Sequence, residues 1–161
     1  MSDAIQVLGL LMVAATAGLS LAHALEFPGK LRLNEDQYRT VQTIYYPGFT
    51  IGGLIAEAGS LLVVPVLLVL TPPSSEGFRW VGLGALLLAI GHAIYWAVTH
   101  PVNAVWLKGS DLTGMSARFF AARAGQEQDW RLLRNVWEWS HVARTVVFAL
   151  ALLCLALASQ C

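Results

Sequence analysis

Four stretches of about twenty predominantly apolar residues set the terms on which this chain can fold. They run roughly from Ile5 to Phe27, Gly48 to Leu70, Trp80 to Thr99 and Val136 to Ala158. A helix rises about 1.5 Å per residue, so each is long enough to cross a bilayer core of about 30 Å. Pro28-Gly29, Pro72-Pro73 and Pro101 follow the first three and predict where they stop. Of 161 residues, only 12% are charged, while 57% are hydrophobic and the mean hydropathy is +0.61. A soluble domain carries about a quarter charged residues, so an ordinary water-soluble fold is excluded. The expectation is one all-α domain over residues 1–161, an integral membrane four-helix bundle. Ala22-His23-Ala24 has the look of a signal cleavage site. Met1 to Gln6 lacks Lys and Arg, however, and the apolar run is too long for a signal core, so the segment reads as a retained helix.

Charge predicts the orientation. The connections 28–47 and 101–135 hold Lys30, Arg32, Arg39, Lys108, Arg118, Arg123, Arg131 and Arg134, against Arg79 alone on the other side. By the positive-inside rule the two longer connections face the cytoplasm and both termini lie outside it. Ten basic and ten acidic residues give no net charge, so nucleic acid is not an expected partner. Cys154 and Cys161 make neither a disulfide framework nor a zinc-type pair, and Cys154 reads as an inert core thiol.

Asn34 followed by Gln37 has the pattern of a capping box, and Tyr38, Val41, Ile44 and Tyr45 recur at helical spacing. This predicts a cytoplasmic-side amphipathic helix over Glu35 to Tyr46, broken or kinked at Pro47 before the second span. Leu112 to Ala124 reads as either a short interfacial helix or a loop, with Met115, Phe119 and Phe120 toward lipid and Arg118 and Arg123 toward headgroups.

The chemistry lies in the polar residues of the spans. Inserting a charge at mid-helix costs about 2.5–3.5 kcal/mol, so such residues face the bundle interior. Span one offers His23 and Glu26, span two Glu57, span three His92 and His100, and span four Glu138, His141 and Arg144. At about 1.5 Å per residue, His23, His141, His92 and Glu57 lie roughly 6, 8, 11 and 14 Å from the cytoplasmic ends. One imidazole or carboxylate from each helix thus enters a common layer. Glu138, His141 and Thr145 share a helix face, and Glu-x-x-His is a ligand pair of di-iron four-helix proteins. Span one carries the reversed His23-x-x-Glu26.

Three readings follow. In the first, His23, Glu57, His92 and His141 bind iron, copper or zinc, with Glu26, His100 and Glu138 as further ligands or their supports. A variant of it sets haem b between His92 and His141, with Arg144 near a propionate. In the second, the same residues form a cofactor-free pocket for a hydrophobic small molecule, where Glu57 or Glu138 carries protons and Arg144 holds an anionic group. In the third they only bind helices together, Glu57 pairing with Arg144 and His141 with Glu138 or a neighbouring helix. Trp80, Trp106, Trp130, Trp137 and Trp139 read as an interfacial belt, and Trp96 as lining a pocket beside His92 and His100. Gly52, Gly53, Gly82, Gly84 and Gly91 read as points of close helix approach.

Several motifs occur together. They are His100-Pro101-Val102-Asn103, Trp130, Trp137-Glu138-Trp139-Ser140-His141 with Arg144, Glu26-Phe27-Pro28-Gly29-Lys30, and Tyr45-Tyr46-Pro47-Gly48-Phe49-Thr50. In this combination, from about His23 to Arg144, the chain resembles uncharacterised bacterial four-helix membrane proteins of the anthrone oxygenase-like domain family. The elements shared with anthrone oxygenases themselves are the Pro-x-Asn after span three and the Trp and Arg-bearing start of span four. The resemblance implies a multi-pass protein of the bacterial cytoplasmic membrane and redox chemistry. Anthrone oxygenases oxidise polycyclic aromatic molecules with molecular oxygen. The reading from another class is a non-enzymatic structural or accessory subunit, packed against a larger membrane partner or a further copy of itself.

Overall fold

The computed structural model describes residues 2–106 and 129–161. The expectation for Leu112 to Ala124 lies outside the described residues. Within them the chain is helical: α1 (Ser2–Lys30), α2 (Glu35–Leu70), α3 (Glu76–Ile94), a π-helical segment (Tyr95–Thr99), α4 (His100–Trp106) and α5 (Trp130–Ala158). Taken with its π segment and α4 as one continuous helix, the third element runs from Glu76 to Trp106. The four helices are each long and apolar enough to cross a membrane and form a four-helix bundle. Their outward side chains are apolar, among them Leu11, Ile55, Leu62, Val69, Leu86 and Leu153. A bilayer satisfies that surface and water does not.

The helix starts follow local chemistry. Asn34 accepts from Gln37 N at 3.0 Å while Gln37 Oε1 accepts from Asn34 N at 3.1 Å, which completes the expected capping box. Ser75 caps α3 by accepting from Phe78 N, and Asp129 caps α5 by accepting from Arg131 N. At Thr71 the backbone becomes extended, and Pro72-Pro73 ends α2 as expected.

The other prolines do not end their helices. α1 passes through Pro28 to Lys30, and α2 runs unbroken through Pro47 and Pro65. The amphipathic helix over Glu35 to Tyr46 is therefore present but continuous with the second span. A proline removes one rung of the ladder, and burial of the flanking turns outweighs that loss. Pro101 does not stop the third helix either. The turn before it widens, so that His100 N–H bonds the Tyr95 carbonyl five residues back. The wider turn makes room for a proline ring that would clash with the carbonyl four residues earlier. It also turns the following residues, and Asn103 and Trp106 end up buried.

Two apolar cores bracket a polar layer. One joins Val13, Val64, Leu88, Phe148 and Leu155 from all four helices. The other, toward the 28–47 and 101–135 connections, joins Tyr38, Val102, Trp106, Leu133 and Trp137. Trp106 and Trp137 are thus core residues and not belt residues, because α4 and the first turns of α2 cover them; Trp139 remains exposed. Gly91 and Gly84 bring α3 against α5 as expected: a β-carbon at Gly91 would collide with the Phe148 ring, and one at Gly84 would lie 3.2 Å from Leu155. Cys154 is buried in the apolar half, as expected of a core thiol.

Candidate functional site: a polar cavity between the cores

Each helix turns a periodic set of residues toward one cavity of about 300 Å³. α1 supplies Ser20 and His23, and α2 supplies Gln42, Tyr45, Tyr46, Phe49 and Glu57. His92, Tyr95 and Trp96 come from α3 and the π segment, Asn103 from α4, and Trp137, His141 and Arg144 from α5. Trp137, His141 and Arg144 follow i, i+4, i+7, one face of a helix. The four residues expected to share a layer, His23, Glu57, His92 and His141, all line this space, as does Arg144.

Its polar groups fall into three places. In the first, Arg144 Nη2 donates to Glu57 Oε1 at 2.7 Å, and His92 Nε2 stands 3.6 Å from Glu57 Oε2. The Arg144 guanidinium lies over Tyr95, 4.9 Å from the ring centre, and beside Phe148. This is the pairing of Glu57 with Arg144 that the bundle-glue reading anticipated.

In the second place, the His23 and His141 rings meet edge to face with centroids 4.6 Å apart. Phe49, Tyr45 and Trp137 surround His23, and Trp137 lies 4.0 Å from His141 between centroids. His141 Nδ1 lies 2.9 Å from the Trp137 carbonyl, and His92 Nδ1 lies 2.8 Å from the Leu88 carbonyl. A carbonyl can only accept, so both rings carry a proton on Nδ1 and the neutral form leaves an Nε2 lone pair. His141 is therefore held by its own backbone and not by Glu138.

The third place lies toward the connection side. Glu138, fully buried, accepts from Tyr38 Oη at 2.9 Å and faces Lys30 Nζ at 3.5 Å. Lys30 is buried as well; its Nζ lies 3.2 Å from Glu26 Oε2 and over the Tyr45 and Trp137 rings. Glu26 also faces His23 Nδ1 at 3.9 Å. Beside this group, Asn103 Oδ1 accepts from Tyr46 Oη at 2.9 Å and from Trp137 Nε1 at 2.5 Å.

The seven residues expected as metal ligands are thus divided. Glu57 is matched by Arg144, and Glu26 and Glu138 by Lys30. His100 packs its ring against Trp96 and Tyr95. Among the described residues no group of three or more His, Cys, Asp or Glu is arranged to hold a metal ion. Carboxylates already paired with cations are poor ligands, so this donor set does not fit a mixed His/Glu metal centre.

Sequence reasoning missed Lys30, Tyr38, Gln42, Tyr46 and Asn103. Lys30 carried a signal, since it stands four residues after Glu26 on the same helix face. In the sequence it weighs on topology and stands in the Glu26–Lys30 motif, and neither places it at the site. Asn103 stood in the quoted His-Pro-Val-Asn motif, but the π segment that turns it inward is not visible in the sequence. No family model, curated protein or solved structure matches this chain.

Proposed function

We propose that this protein is a membrane-embedded oxidoreductase, oxygenase-like in kind, that acts on a hydrophobic aromatic molecule held in the polar cavity. One observation carries the reading: two anchored imidazoles and a guanidinium–carboxylate pair face the same aromatic-walled space inside a membrane bundle. The resemblance to the anthrone oxygenase-like group supports the same class of chemistry.

In this reading His141 Nε2 takes a proton from a hydroxyl or an acidic C–H of the substrate. Arg144, held in place by Glu57, stabilises the oxyanion that develops. The electron-rich carbanion then forms a C–O bond to dioxygen, an apolar gas that partitions readily into the bilayer. The proton held on His141 passes to the outer peroxide oxygen, and loss of water across the O–O bond and the remaining C–H bond leaves a carbonyl. His23 packs its ring edge to face on His141 and helps to fix its orientation. The protein supplies base, anion site and orientation, and dioxygen is the oxidant.

The test is oxygen uptake by the detergent-purified protein with 9-anthrone as probe. His141→Asn should lower the rate about a hundredfold, the scale of a lost general base. Uptake no faster than with heat-denatured protein, or unchanged by the substitution, would overturn the reading. Elemental analysis and an absorption spectrum accompany the assay. Stoichiometric iron, copper or zinc, or a Soret band lost in His92→Ala and His141→Ala, would replace the base mechanism with a bound cofactor. A larger assembly on gentle extraction, with no uptake, would favour the accessory-subunit reading.

We further place the protein in the bacterial cytoplasmic membrane with both termini outside, on the asymmetry of Lys and Arg between the connections. Cys161 is exposed at the end of the chain whereas Cys154 is buried. A membrane-impermeant maleimide should therefore label intact spheroplasts at Cys161. Labelling only after lysis would reverse the orientation.

A further inference from the structure

We infer that the cavity is loaded sideways from the bilayer, through an opening between α2 and the π segment, by a lipid-soluble molecule with a polar ring head and an apolar tail. This deepens the proposed function by naming the substrate class and its route. It rests on that reading only for the chemistry that follows binding.

Both axial routes are closed among the described residues. Toward the connection side, Tyr38, Glu138, Tyr46, Asn103 and Trp137 are buried and tied together by the bonds given above. Toward the opposite side, the packed core of Val13, Val64, Leu88 and Phe148 leaves no more than 2% of any of these side chains exposed. The cavity lining is open elsewhere. Leu54, Leu61 and Trp96 are lining residues that remain 56%, 41% and 53% exposed. Leu54 and Leu61 are seven residues apart on one face of α2, with Ala58 between them also lining the cavity. By the helix rise, Leu54 and Leu61 lie roughly 9 and 20 Å from Gly48, the cytoplasmic end of the second span. The mouth therefore opens into hydrocarbon and not into water.

The inner wall asks for a polar ligand. Ser20 Oγ, His92 Nε2 and Arg144 Nε are buried without a hydrogen bond, and the Gln42 amide, with the Tyr38 hydroxyl near it, lines the same wall. Each belongs to a lining side chain more than nine-tenths buried. A buried polar atom left unpaired costs about 1–3 kcal/mol, which a ligand oxygen or hydroxyl would recover. A polar interior behind a leucine and tryptophan mouth matches a molecule whose ring oxygens lie inward and whose alkyl part stays with the lipid. A purely apolar molecule would leave the inner groups unpaired, and a small water-soluble ion would have to cross hydrocarbon to reach the mouth.

The experiment uses the full chain in phosphatidylcholine vesicles with 2-hydroxy-3-undecyl-1,4-naphthoquinone as probe, read by quenching of tryptophan fluorescence. Saturable quenching is expected, with the saturable part diminished in Trp96→Phe. Gln42→Leu should weaken binding about tenfold, the ratio that one lost hydrogen bond of about 1.4 kcal/mol gives. Leu54→Phe, which narrows the mouth, should slow the approach to equilibrium several-fold and leave the final level nearly unchanged. Circular dichroism on each variant confirms that it folds. Quenching that rises linearly with probe, or is indifferent to both Gln42→Leu and Leu54→Phe, would overturn the inference. So would a mouth covered by a second copy, seen as a dimer that binds no probe. Saturable binding without oxygen uptake would sustain this inference while removing the oxidoreductase reading.

Discussion

Lys30→Met is expected to cost about 3–5 kcal/mol of stability, the scale set by removing one partner of a buried ion pair. Few lysines are placed to matter this much, because an exposed ion pair contributes about 0–1 kcal/mol. Lys30 is different because its ammonium is buried between Glu26 and Glu138 and stacked over Tyr45 and Trp137. Without it, the fully buried Glu138 keeps the Tyr38 hydroxyl as donor and loses its facing cation. Unfolding in mixed micelles titrated with a denaturing detergent, followed by circular dichroism, measures the loss. The double variant Lys30→Met/Glu138→Gln should regain most of it, since a neutral amide carries no uncompensated charge. If Lys30→Met unfolds at the wild-type midpoint, the ammonium is not holding this end of the bundle together.

Arg144→Met separates structure from chemistry at the cavity itself. Arg144 is 2% exposed, and its guanidinium pairs with Glu57 across α2 and α5. Its removal should destabilise the bundle by about 3 kcal/mol, since Glu57 then loses its guanidinium partner and faces the His92 imidazole at 3.6 Å. Oxygen uptake should fall about a hundredfold or more, the scale of a lost oxyanion donor. The double variant Glu57→Gln/Arg144→Met is the informative one. It should recover much of the stability, because no charge is left unpaired, and none of the activity, because the anion site is gone. Activity returning together with stability would reduce Arg144 to bundle glue, the third of the sequence readings.

The architecture was legible because lipid imposes it. Apolar runs of this length must be helical to satisfy their backbone, and the polar residues they carry must be turned toward one another and away from lipid. The capping box at Asn34 was legible for the same kind of local reason: donor and acceptor lie three residues apart. Helix boundaries at Pro28, Pro47 and Pro101 were read too strictly. A proline's local cost is fixed, but the burial that outweighs it comes from helices distant in the chain.

The candidate site divides along the same line. That His23, Glu57, His92, His141 and Arg144 face one interior space followed from the cost of a polar group in hydrocarbon, and the sequence alone determined it. Which of them touch was settled by tertiary packing. Rotation and depth of each helix put Arg144 on Glu57 and Lys30 on Glu138, and so removed two carboxylates from the expected ligand set, while Glu26 meets Lys30 within its own helix. A few ångströms of axial shift would have rearranged those pairs, and no local rule fixes such a shift. Side-chain interlock does, with Gly91 against Phe148 and the π turn before Pro101 setting how α3 and α4 meet α5.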